Sequence, residues 1–185
     1  ASDVYKRQEL FMDRIYDSSR RHFNLFFDNA WNSLVEMDSY GHDVEAGWLL
    51  CEAARVLEDR QLMDRANRLA LDVTDACLVE GLSDKGYMMY EKKGGRTTGH
   101  ASWWGQIETM IACVNAWQIS GNDVYLQSAD TVWTFVKDCM IDREYGEWYS
   151  DCFDGEPKKD TPKVSMWRCP YHTVRLGVEI HNRLK

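Results

Sequence analysis

Two histidines in this 185-residue chain stand where a proton could be handled. His42, in Gly41-His42-Asp43-Val44-Glu45, is followed one helical turn later by Glu45 on the same face. His172, in Cys169-Pro170-Tyr171-His172, opens the last helical stretch and has Arg175 at the same spacing. Histidine titrates near neutral pH, so one imidazole can act as general base while its partner acts as general acid, and the roles exchange in the reverse direction. Glu45 is placed to orient or polarise the His42 ring. Arg175 can stabilise developing negative charge or pair with an acid. A third stretch, Trp103-Trp104-Gly105-Gln106-Ile107-Glu108, carries an indole and a carboxylate one turn apart, Trp104 and Glu108. A metal reading of His42, Glu45 and His172 as two imidazoles and a carboxylate lacks an H-E-x-x-H pattern, and no metal is expected. His22, His100 and His181 match no catalytic pattern and are read as structural or solvent-exposed. A lone histidine on a helix is more often a hydrogen-bonded structural residue than a catalyst, so His42 and His172 need support from elsewhere.

Composition narrows the classes. With 44% apolar and 28% charged residues the chain is ordinary globular material, long enough for one domain with a real core. A formal charge of −8 disfavours nucleic-acid and anionic-membrane surfaces, so neither is expected as a partner. No apolar run is long enough to span a bilayer and no secretory layout opens the chain, which makes the cytoplasm the default compartment and a monomer or weak homodimer the default state. Six scattered cysteines without a C-x-x-C pair read as reduced thiols packed in a core. Eight Trp and nine Tyr exceed what a helical core needs, and rings that stack on sugar faces are one use of the surplus. Trp31, Trp117 and Trp133 are assigned to core packing by their spacing, and Trp48 to pocket wall or core.

The elements that must position these residues recur. Residues 1–8 show no periodicity and are read as unstructured or artefactual, and Glu9 to Tyr16 as the tail of a helix. An extended aromatic stretch, Arg21 to Asp28, precedes an inner helix from Gly41 to about Leu57, apolar nearly all round, and an amphipathic outer helix from about Gln61 to Leu78. A hairpin follows, Tyr87 to Tyr90 turning through Gly94-Gly95. A second inner helix, Ser102 to Ile119, closes on Gly121, and Asn122 caps an outer helix, Asp123 to Met140. Another hairpin spans Tyr145 to Gly155, and a final helix runs from about Pro170 to Leu184. Phe27, Tyr90 and Phe153 repeat every 63 residues, a period that means stacked helical hairpins. The expected fold is all-α: about half of an (α/α)6 barrel with short β-hairpins between helix pairs, residues 9–185 being the C-terminal half of a single domain.

The motifs Gly41-His42-Asp43-Val44-Glu45-Ala46, Trp103-Trp104-Gly105-Gln106-Ile107-Glu108, Tyr145-Gly146-Glu147-Trp148 and Cys169-Pro170-Tyr171-His172-Thr173-Val174-Arg175 resemble the cellobiose 2-epimerase branch of the N-acylglucosamine 2-epimerase superfamily. The resemblance runs from about Glu9 to Lys185 in the right order and spacing. It implies an (α/α)6 barrel and reversible epimerisation at C2 of the reducing-end glucose of a β-1,4-linked disaccharide, such as cellobiose, lactose or mannobiose, with no cofactor. By motif match His42 and His172 would be the two acid/bases, with Glu45 placed to orient or polarise the His42 ring. Trp104 and Trp167, with Trp103 beside them, would stack on the sugar, and Glu108 and Arg175 would complete the substrate contacts. Gly47 and Gly105 depart from the family's Ser and Pro. The resemblance also implies that pocket residues from the N-terminal half of the barrel are absent here. Rival readings are N-acylglucosamine 2-epimerase or aldose–ketose isomerase on the same barrel, an inverting glycoside hydrolase with two separated carboxylates, and a carbohydrate-binding helical array.

Overall fold

The fold is organised by three helices that lie side by side, α2 (Tyr40–Leu57), α4 (Trp103–Ser120) and α6 (Tyr171–Arg183), seen in a computed structural model that describes residues 2–185. Two further helices, α3 (Arg60–Gly81) and α5 (Val124–Phe135), pack on α2 and α4, giving the inner and outer rows that the repeat requires. α4 is the centre of the molecule. Every residue from Gly105 to Ala116 is buried, polar ones included, because α2, α3, α5 and α6 all press against it. α3 buries one stripe, Leu62, Ala66, Leu69, Val73 and Ala76, as an outer helix should.

The helix ends follow their local chemistry. Asp59 caps α3 by accepting from Leu62 N at 3.0 Å, and Ser102 caps α4 through Gly105 N. Gly121 ends α4 with φ +71°, the left-handed turn expected of it. α5 continues as one π-helical turn, Val136–Met140. The glycines at the two departures are both buried: a Cβ on Gly47 would meet Ala70 at 3.5 Å, ordinary contact, and one on Gly105 would come within 3.0 Å of Ser102 Oγ.

Three small antiparallel sheets sit in the connections. β1 (Tyr16–Asp17) pairs with β2 (His22–Phe23), β3 (Met37–Asp38) with β4 (Glu91–Lys93) and β5 (Arg96–Thr98), and β6 (His100–Ser102) with β7 (Asp151–Phe153) and β8 (Glu156–Pro157). β3 leads into α2 and β6 runs directly into α4, so the sheets fix the N-terminal ends of the inner helices. Both hairpins begin later than their aromatic segments predict. Gln106 takes both backbone groups of Met88, accepting from its N and donating to its O at 2.8 Å each, which draws Tyr87 and Met88 into the core and leaves Glu91–Lys93 to pair. Trp148 is buried in the same way, bridged to Ile141. Of the stretch Arg21 to Asp28 only His22–Phe23 is strand.

Other expectations are corrected. Ser2–Leu10 forms α1 and continues through a π-helical turn, Phe11–Ile15; Ala1 lies outside the described residues. The tie is long-range: Gln8, buried, donates to Leu50 O at 3.1 Å, and Tyr5 reaches Asp59. Trp31 and Trp133 are exposed rather than core: Trp31 stands in the loop between β2 and β3 with its ring beside Phe27, and Trp133 rims the edge between α5 and α6. Cys169 is exposed too, although the other five thiols are buried or partly buried. The fold leaves two apolar grooves, one of about 1050 Å³ between α1 and α2 and one of about 800 Å³ between α5 and α6. α6, packed on one side only, buries none of its residues fully. Among the described residues no helix is long and apolar enough to cross a membrane.

One buried pair locks the start of α2. Asp43, fully buried, accepts His22 Nδ1–H at 2.7 Å and Phe23 N at 2.9 Å. Burial by itself would push the His22 imidazole down; the hydrogen bond and charge of Asp43 outweigh it and hold it above its usual value. Removing one partner of a buried pair strands the other, so Asp43→Ala is expected to lower unfolding free energy by about 3 kcal/mol, read by urea denaturation.

Candidate active site

The sequence-predicted residues converge because they occupy the same place on three neighbouring helices. His42 lies in the first turn of α2, Trp103 and Trp104 in the first turn of α4, and His172 in the first turn of α6. Glu45, Glu108 and Arg175 follow one turn further in. Three helix N-termini therefore lie around one region, an environment that favours negative charge.

Glu108 is the hub. Its side chain is fully buried and accepts three hydrogen bonds: Oε1 from His172 Nδ1 at 2.6 Å and Arg175 Nη1 at 2.9 Å, Oε2 from Trp48 Nε1 at 2.9 Å. Arg175 also donates to Glu45 Oε1 at 2.6 Å, and its guanidinium lies over the rings of Tyr171 and Trp48, 4.1 and 5.4 Å from their centroids. An ionised carboxylate only accepts, so Glu108 holds the proton of His172 on Nδ1 and leaves Nε2 as the atom that can exchange one. His42 is held differently. Its Nδ1 meets the Ser39 hydroxyl at 2.8 Å, a partner that can donate or accept, and its ring is exposed. The Trp104 ring lies against both imidazoles, 4.6 Å from His42 and 6.0 Å from His172 between centroids.

Three expected residues take other positions. Glu45 is paired to Arg175, because the guanidinium on α6 lies within its reach, while the hydrogen-bond partner of the His42 ring is Ser39. Trp103 is a support for the α6 entry: the Arg168 guanidinium lies 4.8 Å over its ring, and its ring and that of His172 stand edge to face with centroids 6.2 Å apart. Trp167 is 87% exposed on the loop before α6. Arg168, next to it, is the anchor of that loop; buried, it donates to Ser150 Oγ and Trp148 O. Sequence reasoning passed over Arg168 and Ser39, and left Trp48 between pocket wall and core without assigning its indole a partner. The one signal available for Trp48 was its position on the inner helix one turn beyond Glu45. As for metals, Glu45, Glu108 and His172 carry ligand atoms within 4.8 Å of one another, but each is already paired to Arg175 or to another member of the group.

The chain matches the N-acylglucosamine 2-epimerase family over residues 5–175. The cellobiose 2-epimerase of Bacteroides fragilis is 40% identical over 182 residues, covering 96% of this chain and 46% of the relative. Among solved structures, a sugar epimerase from a ruminal bacterium superposes with a TM-score of 0.95 at 33% identity, covering 98% of this chain and 47% of that one. The cellobiose 2-epimerase of Bacillus thermoamylovorans gives 0.92 at 32% identity, with coverage of 98% and 47%. The fold is thus about half of an (α/α)6 barrel with an acid–base cluster at the N-terminal ends of its inner helices. The chain belongs to the N-acylglucosamine 2-epimerase family, and it spans about half the length of the curated relatives it matches.

Gly41 permits the approach of Trp104 to His42: a Cβ there would lie 2.6 Å from the indole Cη2 and Cζ3 atoms. Gly41→Ala is expected to push the ring away. The check is the His42 imidazole proton resonances, whose upfield ring-current shift disappears in the variant while the far-UV circular dichroism stays unchanged.

Proposed function

We propose that the complete protein carrying this chain epimerises C2 of the reducing-end glucose of a β-1,4-linked disaccharide, cellobiose, lactose and mannobiose being the candidate substrates. The observation that carries the reading is the asymmetric pair of histidines on either side of Trp104. In the open-chain aldehyde the C2 proton is acidic. His172 Nε2 takes it, and Glu108 behind the ring stabilises the imidazolium that forms, as a buried carboxylate does in a catalytic triad. The electron pair moves into the C1–C2 bond and the aldehyde oxygen becomes the enediolate oxygen. The helix N-termini favour that charge. His42, whose Ser39 partner accepts either tautomer, returns a proton to the opposite face of C2, giving the mannose epimer. Trp104 and, from its exposed loop, Trp167 stack on the sugar rings.

The names of the relatives, cellobiose 2-epimerases, support the substrate class. Glu45 and Glu108 do not suit an inverting glycosidase: their oxygens approach within 4.8 Å and both are spent on Arg175, whereas an inverting pair needs roughly 6.5–9.5 Å and room for water.

In heavy water the complete enzyme should place deuterium at C2 of its product. A product without deuterium, or ketose as the sole product from cellobiose, would sink the proposal. His42→Ala and His172→Ala should each lower epimerisation on the order of 10²–10⁴-fold, the range of a lost general acid or base.

A further inference from the structure

A second concentration of ligand-type side chains lies where β2, β3 and the C-terminal end of α3 meet, apart from the cluster around Glu108. It surrounds a polar cavity of about 240 Å³ whose walls include Arg20, His22, Glu36, Asp38, Glu80 and Lys92. Nothing in the proposed epimerisation uses it.

Its central group is His22, 1% exposed. Nδ1 is committed to Asp43, whose second oxygen already accepts Phe23 N. Asp43 accepts, so Nδ1 carries the proton and Nε2 keeps a lone pair. That Nε2 is buried without a hydrogen-bond partner, although the ring lines a cavity bordered by carboxylates. Glu80 Oε1 is 3.6 Å away, too far for a hydrogen bond. Two ligands on one tetrahedral ion with bonds of about 2.1 Å stand about 3.4 Å apart, close to this spacing. A carboxylate oxygen of Asp38 completes the group, all three ligand atoms lying within 4.8 Å of one another.

The neighbouring cations leave these ligand atoms free. Arg20 Nη1 takes Asp38 Oδ1 at 2.6 Å and Lys92 Nζ takes Glu80 Oε2 at 2.7 Å, so Asp38 Oδ2 and Glu80 Oε1 remain for the cavity. Charge points the same way. Asp17, Asp38, Asp43 and Glu80 face Arg20 and Lys92, while Glu36 and Arg21 at the rim cancel. With His22 neutral two negative charges are unmatched; a proton on Nε2 would cancel one, a divalent cation both.

We propose that His22 Nε2, Glu80 Oε1 and Asp38 Oδ2 form a binding site for a divalent cation of the zinc class, with Asp43 orienting the imidazole from behind. One imidazole and two carboxylates suit zinc better than calcium or magnesium, which take larger, all-oxygen shells. A carboxylate on the far nitrogen of a ligating histidine is the usual outer support of such a site. Bound there, the ion joins β2, β3 and α3 next to the turn of α2 that carries His42, and so acts as a structural clamp.

The test uses protein stripped with EDTA, desalted, and titrated with ZnCl₂ at pH 7.5. One equivalent retained by elemental analysis, with a Tm raised by several degrees, is expected. Glu80→Gln and Asp38→Asn should each weaken zinc binding by at least 10-fold and abolish the Tm rise while leaving the metal-free circular dichroism intact; should Asp38→Asn fail to fold, Glu80→Gln, whose side chain is partly exposed, decides alone. Glu108→Gln should retain zinc. The proposal is overturned by less than 0.1 equivalent bound at 100 μM ZnCl₂. It is equally overturned by retention in both cavity variants, or by loss in Glu108→Gln, which would move the ion to the Glu45–Glu108–His172 group. A His22 ring that keeps protons on both nitrogens in the presence of zinc, read from its ¹⁵N shifts, would replace the ion with a proton and overturn it too.

Discussion

A buried carboxylate must be compensated, and in this chain the compensation of Glu108 ties three helices together. The charge sits on α4, the most enclosed element of the fold. Its donors come from elsewhere: the Trp48 indole from α2, and the His172 imidazole and Arg175 guanidinium from α6. Leaving any of them out would strand a charge where water cannot reach it. The distance and register between the inner helices are therefore set by a polar requirement as much as by packing. At the opposite end a second arginine repeats the device: Arg183 of α6 reaches Glu52 on α2 and Asn115 and Gln118 on α4.

From that constraint the chemistry of the two histidines diverges. Both stand in the first turn of an inner helix and both touch Trp104. One is backed by a fully buried carboxylate, the other by a hydroxyl. The proposed epimerisation uses this difference, since it needs one ring that starts neutral and another that gives up a proton. The elements outside the cluster hold it in place. The His22–Asp43 pair secures the start of α2, and Arg168, over the ring of Trp103, secures the entry to α6.

Much of this was legible from residue order. The 63-residue repeat exposed the hairpin architecture, the limits of α2, α3, α4 and α6 were read to within three residues, and the convergence of His42, Trp104 and His172 followed from their equal positions on successive inner helices. Strands were read less well. Aromatic segments such as Tyr87–Tyr90 look like strands locally, yet burial of Tyr87 and Met88 against α4 and α5 outweighed that preference. The start of helix α1 escaped notice because its stabilising contacts, Gln8 to Leu50 and Tyr5 to Asp59, join residues far apart in sequence and leave no periodic trace.

What the sequence by itself determined, then, is the set of reactive groups and the helix faces they share, since helical spacing is a local property. Which atom each group offers was decided only in three dimensions. Glu45, one turn from His42, could serve that ring, but it is paired to Arg175 of another helix; Trp103 and Trp104 are adjacent, yet one meets Arg168 and the other the two imidazoles. His22 reads as a structural residue, and only the fold shows that Asp43 claims one of its nitrogens and leaves the other unpaired beside two carboxylates. Hydrogen-bond partners are settled by distance and by the cost of an unsatisfied buried group, and both arise between elements rather than within them.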